Sequence, residues 1–353
     1  MGCALSIADG TLPILTADAV VARVERNGHY HTCVQTTPTG VRRLATILSV
    51  PGSSLNTPIH NIKKGSINNP GRAYAAVAVV DTGIDDTHPD LNVVFKQSFI
   101  TGNPDPTDQF GHGTHCAGII GALDNGIGVV GVAPGAPLWN IRVLDASGGG
   151  TLADVIAGMQ FLAGNADQVR VINMSLGGGY SAVLNMAVAQ NVSVGQIVVV
   201  AAGNSSVDAA TFSPASEPSI ICVAALADSD GLPGGLGLVT SAGNDDTFAT
   251  FSNWGTLVKV IAPGVDILST IPGGYGVKSG TSMATPHVAG LVTLLISAPS
   301  QEIRNVRFKK APPAAQPRLT PAQVLGVLLQ TSRENIPGIF DTRTYPLVCG
   351  KGF

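Results

Sequence analysis

From about residue 74 onward, short and continuously apolar runs alternate with longer segments of helical periodicity. YAAVAVV, WNIRVL, VRVINMSL and QIVVVAA are the apolar runs; CAGIIGAL, LADVIAGMQFLA and LNMAVAQ carry the helical patterns between them. Strands that are apolar at every position are buried on both faces, so the alternation predicts an α/β protein with a parallel sheet covered by helices on each side. In such sheets functional groups gather beyond the carboxyl ends of the strands. Three segments fall outside the pattern. Residues 1 to 34 precede it, GLPGGLGLVTSAGND at 231 to 245 reads as a Gly-rich loop, and the Pro-rich, charged stretch 299 to 319 is expected to be a surface insertion.

Composition narrows the class. With 353 residues, 44% hydrophobic and only 12% charged, the chain has the apolar content for a large buried core and is not a disordered sequence. The net charge of −3 comes without any long basic run, so there is no electrostatic footprint for nucleic acid. The longest apolar stretches, such as IVVVAA, are far short of the roughly 20 residues of a membrane span. MGCALSIADG lacks the basic and apolar regions of a secretory signal; Gly2 and Ser6 match a short acylation pattern that is common by chance. Five cysteines without a C-x-x-C pair indicate neither a zinc site nor a dense disulfide framework.

Candidate chemistry starts at SGTSMATPHVAG, residues 279 to 290. Ser282 there reads locally as an ordinary helix start, and becomes a nucleophile only if a base, an orienting acid and an oxyanion donor exist elsewhere. Asp81 ends the apolar run AVAVVD, where a buried acid needs a partner such as a histidine. His112 stands between glycines in GHGTHCAG; imidazole is the side chain best suited to base catalysis near neutral pH. His115, three residues on, leaves an i, i+3 metal pair as a rival. Asn204, after VVVAAG, offers an amide donor.

Taken together and in order, DTGIDDTHPDL, GHGTHCAG, AAGN and SGTSMATPHVAG resemble the subtilisin-like serine proteases, with features of the proteinase-K-like branch in SPASEPSI. The resemblance runs from about Gln35 to Ser297, more weakly to the helix near 321 to 332. It implies a three-layer subtilisin-like fold with a central, mostly parallel sheet, and a secreted serine endopeptidase acting on protein or peptide substrates. Ser282 would be the nucleophile, His112 the base, Asp81 its orienting acid, and Asn204 with the Ser282 N–H the oxyanion site. His287 becomes a helix histidine without a catalytic role. The same resemblance implies that Gly148, Gly149 and Gly150 on one side and Ser175, Leu176 and Gly177 on the other receive the substrate backbone. Leu152 would line a pocket for the residue four before the cut, and broad specificity with a neutral or apolar preference is expected. It further implies a structural Ca²⁺ held by the Leu123, Ile127 and Val129 carbonyls, the Asn125 side chain, Asp90 and Gln35. Lys259 stands where the proteinase-K-like branch has an acid for another calcium, so that site is expected to be missing. Residues 35 to 353 are read as the peptidase domain, monomeric, and residues 1 to 34 as the remnant of an inhibitory propeptide, the chain's own inhibitor and chaperone. The competing expectation is a catalytically silent binding protein on the same fold.

Overall fold

The computed structural model describes residues 35–46, 74–297, 318–332, 334–338 and 343–347. The expected propeptide remnant and nearly all of the 299 to 319 insertion lie outside the described residues, as do Cys3, Cys33 and Cys349.

A helix α1 (Thr39–Thr46) comes first, then β1 (Ala76–Asp81), β2 (Val93–Ser98), α2 (His112–Gly121), β3 (Leu138–Arg142), α3 (Leu152–Ala163), β4 (Val169–Met174), the two-residue β5 (Gly178–Gly179), α4 (Ala182–Ser193) and β6 (Ile197–Ala201). The second half adds β7 (Phe212–Ser213), β8 (Ile221–Ala227), β9 (Thr247–Phe248), β10 (Val258–Pro263), a β11–β12 hairpin (Ile267–Ile271, Gly274–Lys278), α5 (Thr281–Ser297), α6 (Pro321–Thr331), β13 (Glu334–Pro337) and β14 (Thr344–Leu347). The main sheet runs β13-β14-β10-β8-β6-β4-β1-β3-β2. Every neighbour on that path is parallel except the terminal β13–β14 pair, and β9 adds an antiparallel edge to β8.

The period of two along each strand divides the core between the faces. Val77 and Val79 of β1 face a cluster built with α1, α2, α5 and α6, whereas Ala78 and Val80 face one built with α3 and α4. The result is the predicted three-layer α/β arrangement. Helix α5 is buried on nearly its whole circumference, from Met283 to Leu295, which explains why its sequence shows no polar stripe. Helix α3 occupies the LADVIAGMQFLA run, with the Thr151 side chain accepting from Asp154 N at its start. Cys116 and Cys222 are buried free thiols. Among the described residues no helix is long and apolar enough to cross a membrane.

Candidate active site

Asp81 is the last residue of the central strand β1 and is fully buried. Its Oδ1 accepts the Thr82 N–H at 2.7 Å and lies 2.7 Å from Nδ1 of His112, the first residue of α2. Two glycines allow this approach. Gly111 turns the chain into α2 at φ 87°, and a side chain at Gly113 would strike the Gly83 carbonyl at 2.1 Å and the Asp81 Cβ at 3.0 Å, lifting the helix off the strand end. Asp108 ties the same helix start down. Its Oδ1 accepts from Gly111 N (2.7 Å) and Thr82 Oγ1 (2.8 Å), and its Oδ2 from Thr114 N (2.9 Å), while Thr82 Oγ1 accepts from Gly113 N (2.9 Å).

Burial disfavours a charged His112, yet the Asp81 carboxylate outweighs it and holds the imidazole pKa well above 6.5. Cys116, four residues on and on the same helix face, places Sγ 4.0 Å from His112 Nδ1. Burial pushes that thiol's pKa up, so near neutral pH it is uncharged and adds little to the field at His112. His115 does not pair with His112 around a metal. Its buried ring lies within hydrogen-bond distance of the carbonyls of Ile267 (3.0 Å) and Gly276 (3.1 Å) through Nε2, and burial lowers its pKa to about 3. The side chains that do converge are Asp81, His112 and Cys116.

Ser282 is the second residue of α5 rather than its cap. The amino end of α5 is satisfied from outside, because Asn204 Oδ1 accepts both Thr281 N (2.8 Å) and Thr281 Oγ1 (2.9 Å). With its oxygen engaged in this way, the Asn204 amide keeps Nδ2, a pure donor, as the group it can offer to another acceptor. Pro286 sits four residues after Ser282 and has no N–H, so the Ser282 carbonyl lacks its helical partner. Ser175 Oγ (2.8 Å) and Cys116 Sγ (3.4 Å) donate to it instead. The Ser282 hydroxyl itself donates to the Ser175 carbonyl at 3.1 Å. For a proton to pass to His112, that hydroxyl must exchange the Ser175 carbonyl for the imidazole as its acceptor. His287 is buried, with Nδ1 2.8 Å from the Met283 carbonyl and its pKa lowered by burial to about 4; it is a helix histidine, as the sequence suggested.

Of the expected substrate edges, Ser175 is buried while Leu176 is half-buried and Gly177 exposed. On the other side Gly148 is half-buried, and Gly149 and Gly150 are exposed. Leu152 opens α3 and is 46% exposed.

A second group of predicted residues also comes together. Gln35 Nε2 donates to the carbonyls of Leu123 (2.5 Å) and Val129 (3.2 Å), and its Oε1 accepts from Gly126 N (3.1 Å). Asp90 is fully buried; Oδ2 accepts from Val129 N and Tyr275 Oη, both at 3.2 Å, and Oδ1 has no hydrogen-bond partner. Burial raises the Asp90 pKa to about 6. Asn125 Oδ1 accepts from Ile127 N at 3.0 Å, closing the turn that carries both. Two carbonyls converging on one donor, beside an orphaned buried carboxylate oxygen, form an all-oxygen set that suits a hard cation. Elsewhere, Asp228, Asp230 and Asp245 cluster. There the buried Arg43 guanidinium supplies the positive charge, 3.7 Å from Asp228 and 2.7 Å from Asp246.

The sequence reading missed Cys116, Ser175 Oγ, Asp108 and Pro286 as parts of the site. The i, i+4 spacings of Cys116 from His112 and of Pro286 from Ser282 were signals that could have found two of them.

Residues 73–344 match the family model of peptidase S8, the Subtilase family. Alkaline serine protease ver112 of Corniculantispora psalliotae is 45% identical over 229 residues, which is 63% of this chain and 54% of that protein. Subtilisin E of Bacillus subtilis (strain 168) is 40% identical over 291 residues, covering 80% of this chain and 67% of the relative. The chain thus spans about half the length of the first relative and two thirds of the second. Among solved structures, a cold adapted subtilisin-like serine proteinase superposes with a TM-score of 0.66 at 33% identity, covering 89% of this chain and 98% of that one. The chain belongs to the subtilase family.

Proposed function

We propose that the protein is a secreted, calcium-stabilised serine endopeptidase. The observation that carries the reading is the 2.7 Å contact of His112 Nδ1 with the buried Asp81. With its proton on Nδ1, the ring offers Nε2 as the proton acceptor. In the reaction Ser282 Oγ attacks the peptide carbonyl carbon while His112 Nε2 takes its proton, and Asp81 stabilises the imidazolium that forms. The carbonyl oxygen, now negative, is met by Asn204 Nδ2 and the Ser282 N–H at the start of α5, where the helix dipole also favours negative charge. Collapse of the intermediate passes the His112 proton to the leaving amine and leaves an acyl-Ser282 ester. Water, activated by the same histidine, then hydrolyses the ester. Glycines at 148–150 and 177 let an extended substrate backbone approach closely, and the exposed Leu152 favours an apolar side chain further from the cut.

A fluorophosphonate probe tests this reading. Folded protein is expected to be labelled once, with the adduct on Ser282; an unlabelled folded protein, or an adduct elsewhere, removes the nucleophile assignment.

For the cation, Asp90, Gln35, Asn125 and the carbonyls of Leu123, Ile127 and Val129 would hold Ca²⁺, which supplies structural charge compensation and no catalytic step. At calcium 100-fold above its dissociation constant, chelation is expected to lower Tm by about 4 °C. The measurement uses probe-inactivated protein so that self-digestion does not intervene; an unchanged Tm argues against the site. Dependence on free calcium fits an extracellular setting. Residues 1 to 34, outside the described structure, are proposed to be the end of an inhibitory propeptide preceding a peptidase domain that begins near Gln35.

A further inference from the structure

The approach to His112 carries two residues that the triad does not use. Phe110, two residues before His112, is 46% exposed. Lys278, four residues before Ser282 at the end of β12, sets its Nζ 5.6 Å from the centre of the Phe110 ring. This cation–ring contact therefore bridges the two segments that deliver His112 and Ser282. On its other flank Phe110 lies against the expected substrate edge. A side chain at Gly148 would come within 2.9 Å of the ring, and Gly148 already has φ 80°. Phe110 thus stands two residues before His112 with Gly148 of the expected substrate edge against its ring and the half-buried Lys278 beside it.

Among the described residues Lys278 has no carboxylate at ion-pair distance, whereas Lys96 is paired with Asp86 and Arg318 with Asp167. The acid nearest in register, Asp266, is engaged by Ser241 and Ser279. A lysine held over an aromatic ring at the rim of a cleft keeps its charge available to a ligand, because the ring satisfies it only in part. Successive residues of an extended substrate advance by about 3.3 Å. Because Phe110 stands two residues before His112 and Lys278 four before Ser282, a side chain resting on Phe110 is assigned to a residue close to the cut bond.

We propose that Phe110 and Lys278 form a subsite that selects an acidic side chain, Asp or Glu, within two residues of the cut. The proposal rests on the endopeptidase reading and adds a substrate class to it. The aliphatic part of the acidic side chain packs on the ring and its carboxylate reaches the ammonium group. It acts at a different position from Leu152, so an apolar preference further from the cut is compatible with it.

The test is the cleavage profile of a diverse peptide mixture. For the wild-type chain, acidic residues are expected to be enriched about two- to fivefold at one position within two residues of the cut, the scale of an exposed ion pair. Lys278→Met is expected to erase that enrichment, and Lys278→Glu to replace it with Lys or Arg, each variant being checked for folding by its Tm. If a variant does not fold, salt provides an independent readout: raising ionic strength from about 0.05 to 0.5 M should flatten the acidic preference of the wild type. A profile without acidic enrichment there, or one indifferent to Lys278→Met and to salt, overturns the subsite while leaving the endopeptidase reading intact. A wild-type protein that neither labels with a fluorophosphonate nor cleaves any peptide overturns both.

Discussion

Replacing Ser282 by alanine is expected to lower kcat by about a millionfold, the loss known for the nucleophile of subtilisin and so inherited from a relative. The expectation follows from what the structure leaves in place. Ser282→Ala removes one oxygen whose hydrogen bond goes to the Ser175 carbonyl. The backbone of α5, its Asn204 tether and the Ser175 bond to the Ser282 carbonyl do not depend on that oxygen. Folding should therefore persist while acyl transfer stops. Kinetics on a peptide ester and the Tm of the same preparation decide the point. A loss of only 100- to 1000-fold is what removal of one oxyanion donor produces, and would mean that Ser282 assists the reaction without forming the acyl bond.

Asp81→Asn is expected to cost about ten-thousandfold, the scale of the same change in an unrelated Asp-His-Ser triad. It should also displace the pH profile. Protonated His112 accepts nothing from Ser282, so activity falls as pH drops through the imidazole pKa. In the native protein burial lowers that pKa, but Asp81 overrides it and carries the value well above 6.5, which places the acid limb of kcat/KM above pH 6.5. An amide has no charge with which to oppose burial, and the limb is expected to move to lower pH even as the plateau falls. An amide NH₂ turned toward Nδ1 would further fix the ring proton on the nitrogen facing Ser282. If the plateau falls while the limb stays where it is, Asp81 does not set the basicity of His112.

Much of the fold was written in local pattern. The run LADVIAGMQFLA became α3 from its first residue to its last, because Thr151 caps it and Gly164 follows it. The apolar runs at 76–81, 169–174 and 197–201 became adjacent parallel strands, since residues apolar on both faces have no stable place except between helix layers. The lone-serine ambiguity of SGTSMATPHVAG was not solved locally: Ser282 is helical, and the group that satisfies the helix start is Asn204, 77 residues away in sequence. No propensity could reveal that an amide so distant in the chain satisfies the start of α5.

The sequence by itself determined the layer architecture and marked Asp81, His112, Asn204 and Ser282 as candidates, because periodicity, glycine turns and strand-end acids are local properties of the chain; the family was legible only through the resemblance of four motifs in order. Tertiary structure alone decided how these groups meet. The Asp81–His112 distance depends on α2 seating against the end of β1, the Ser282 carbonyl on Ser175 and Cys116, the Asp90 environment on the turn 123–129, and the placement of the Lys278 ammonium on a ring 168 positions earlier in the chain. Each is a contact between segments far apart in sequence, fixed by how the helix layers pack on the sheet.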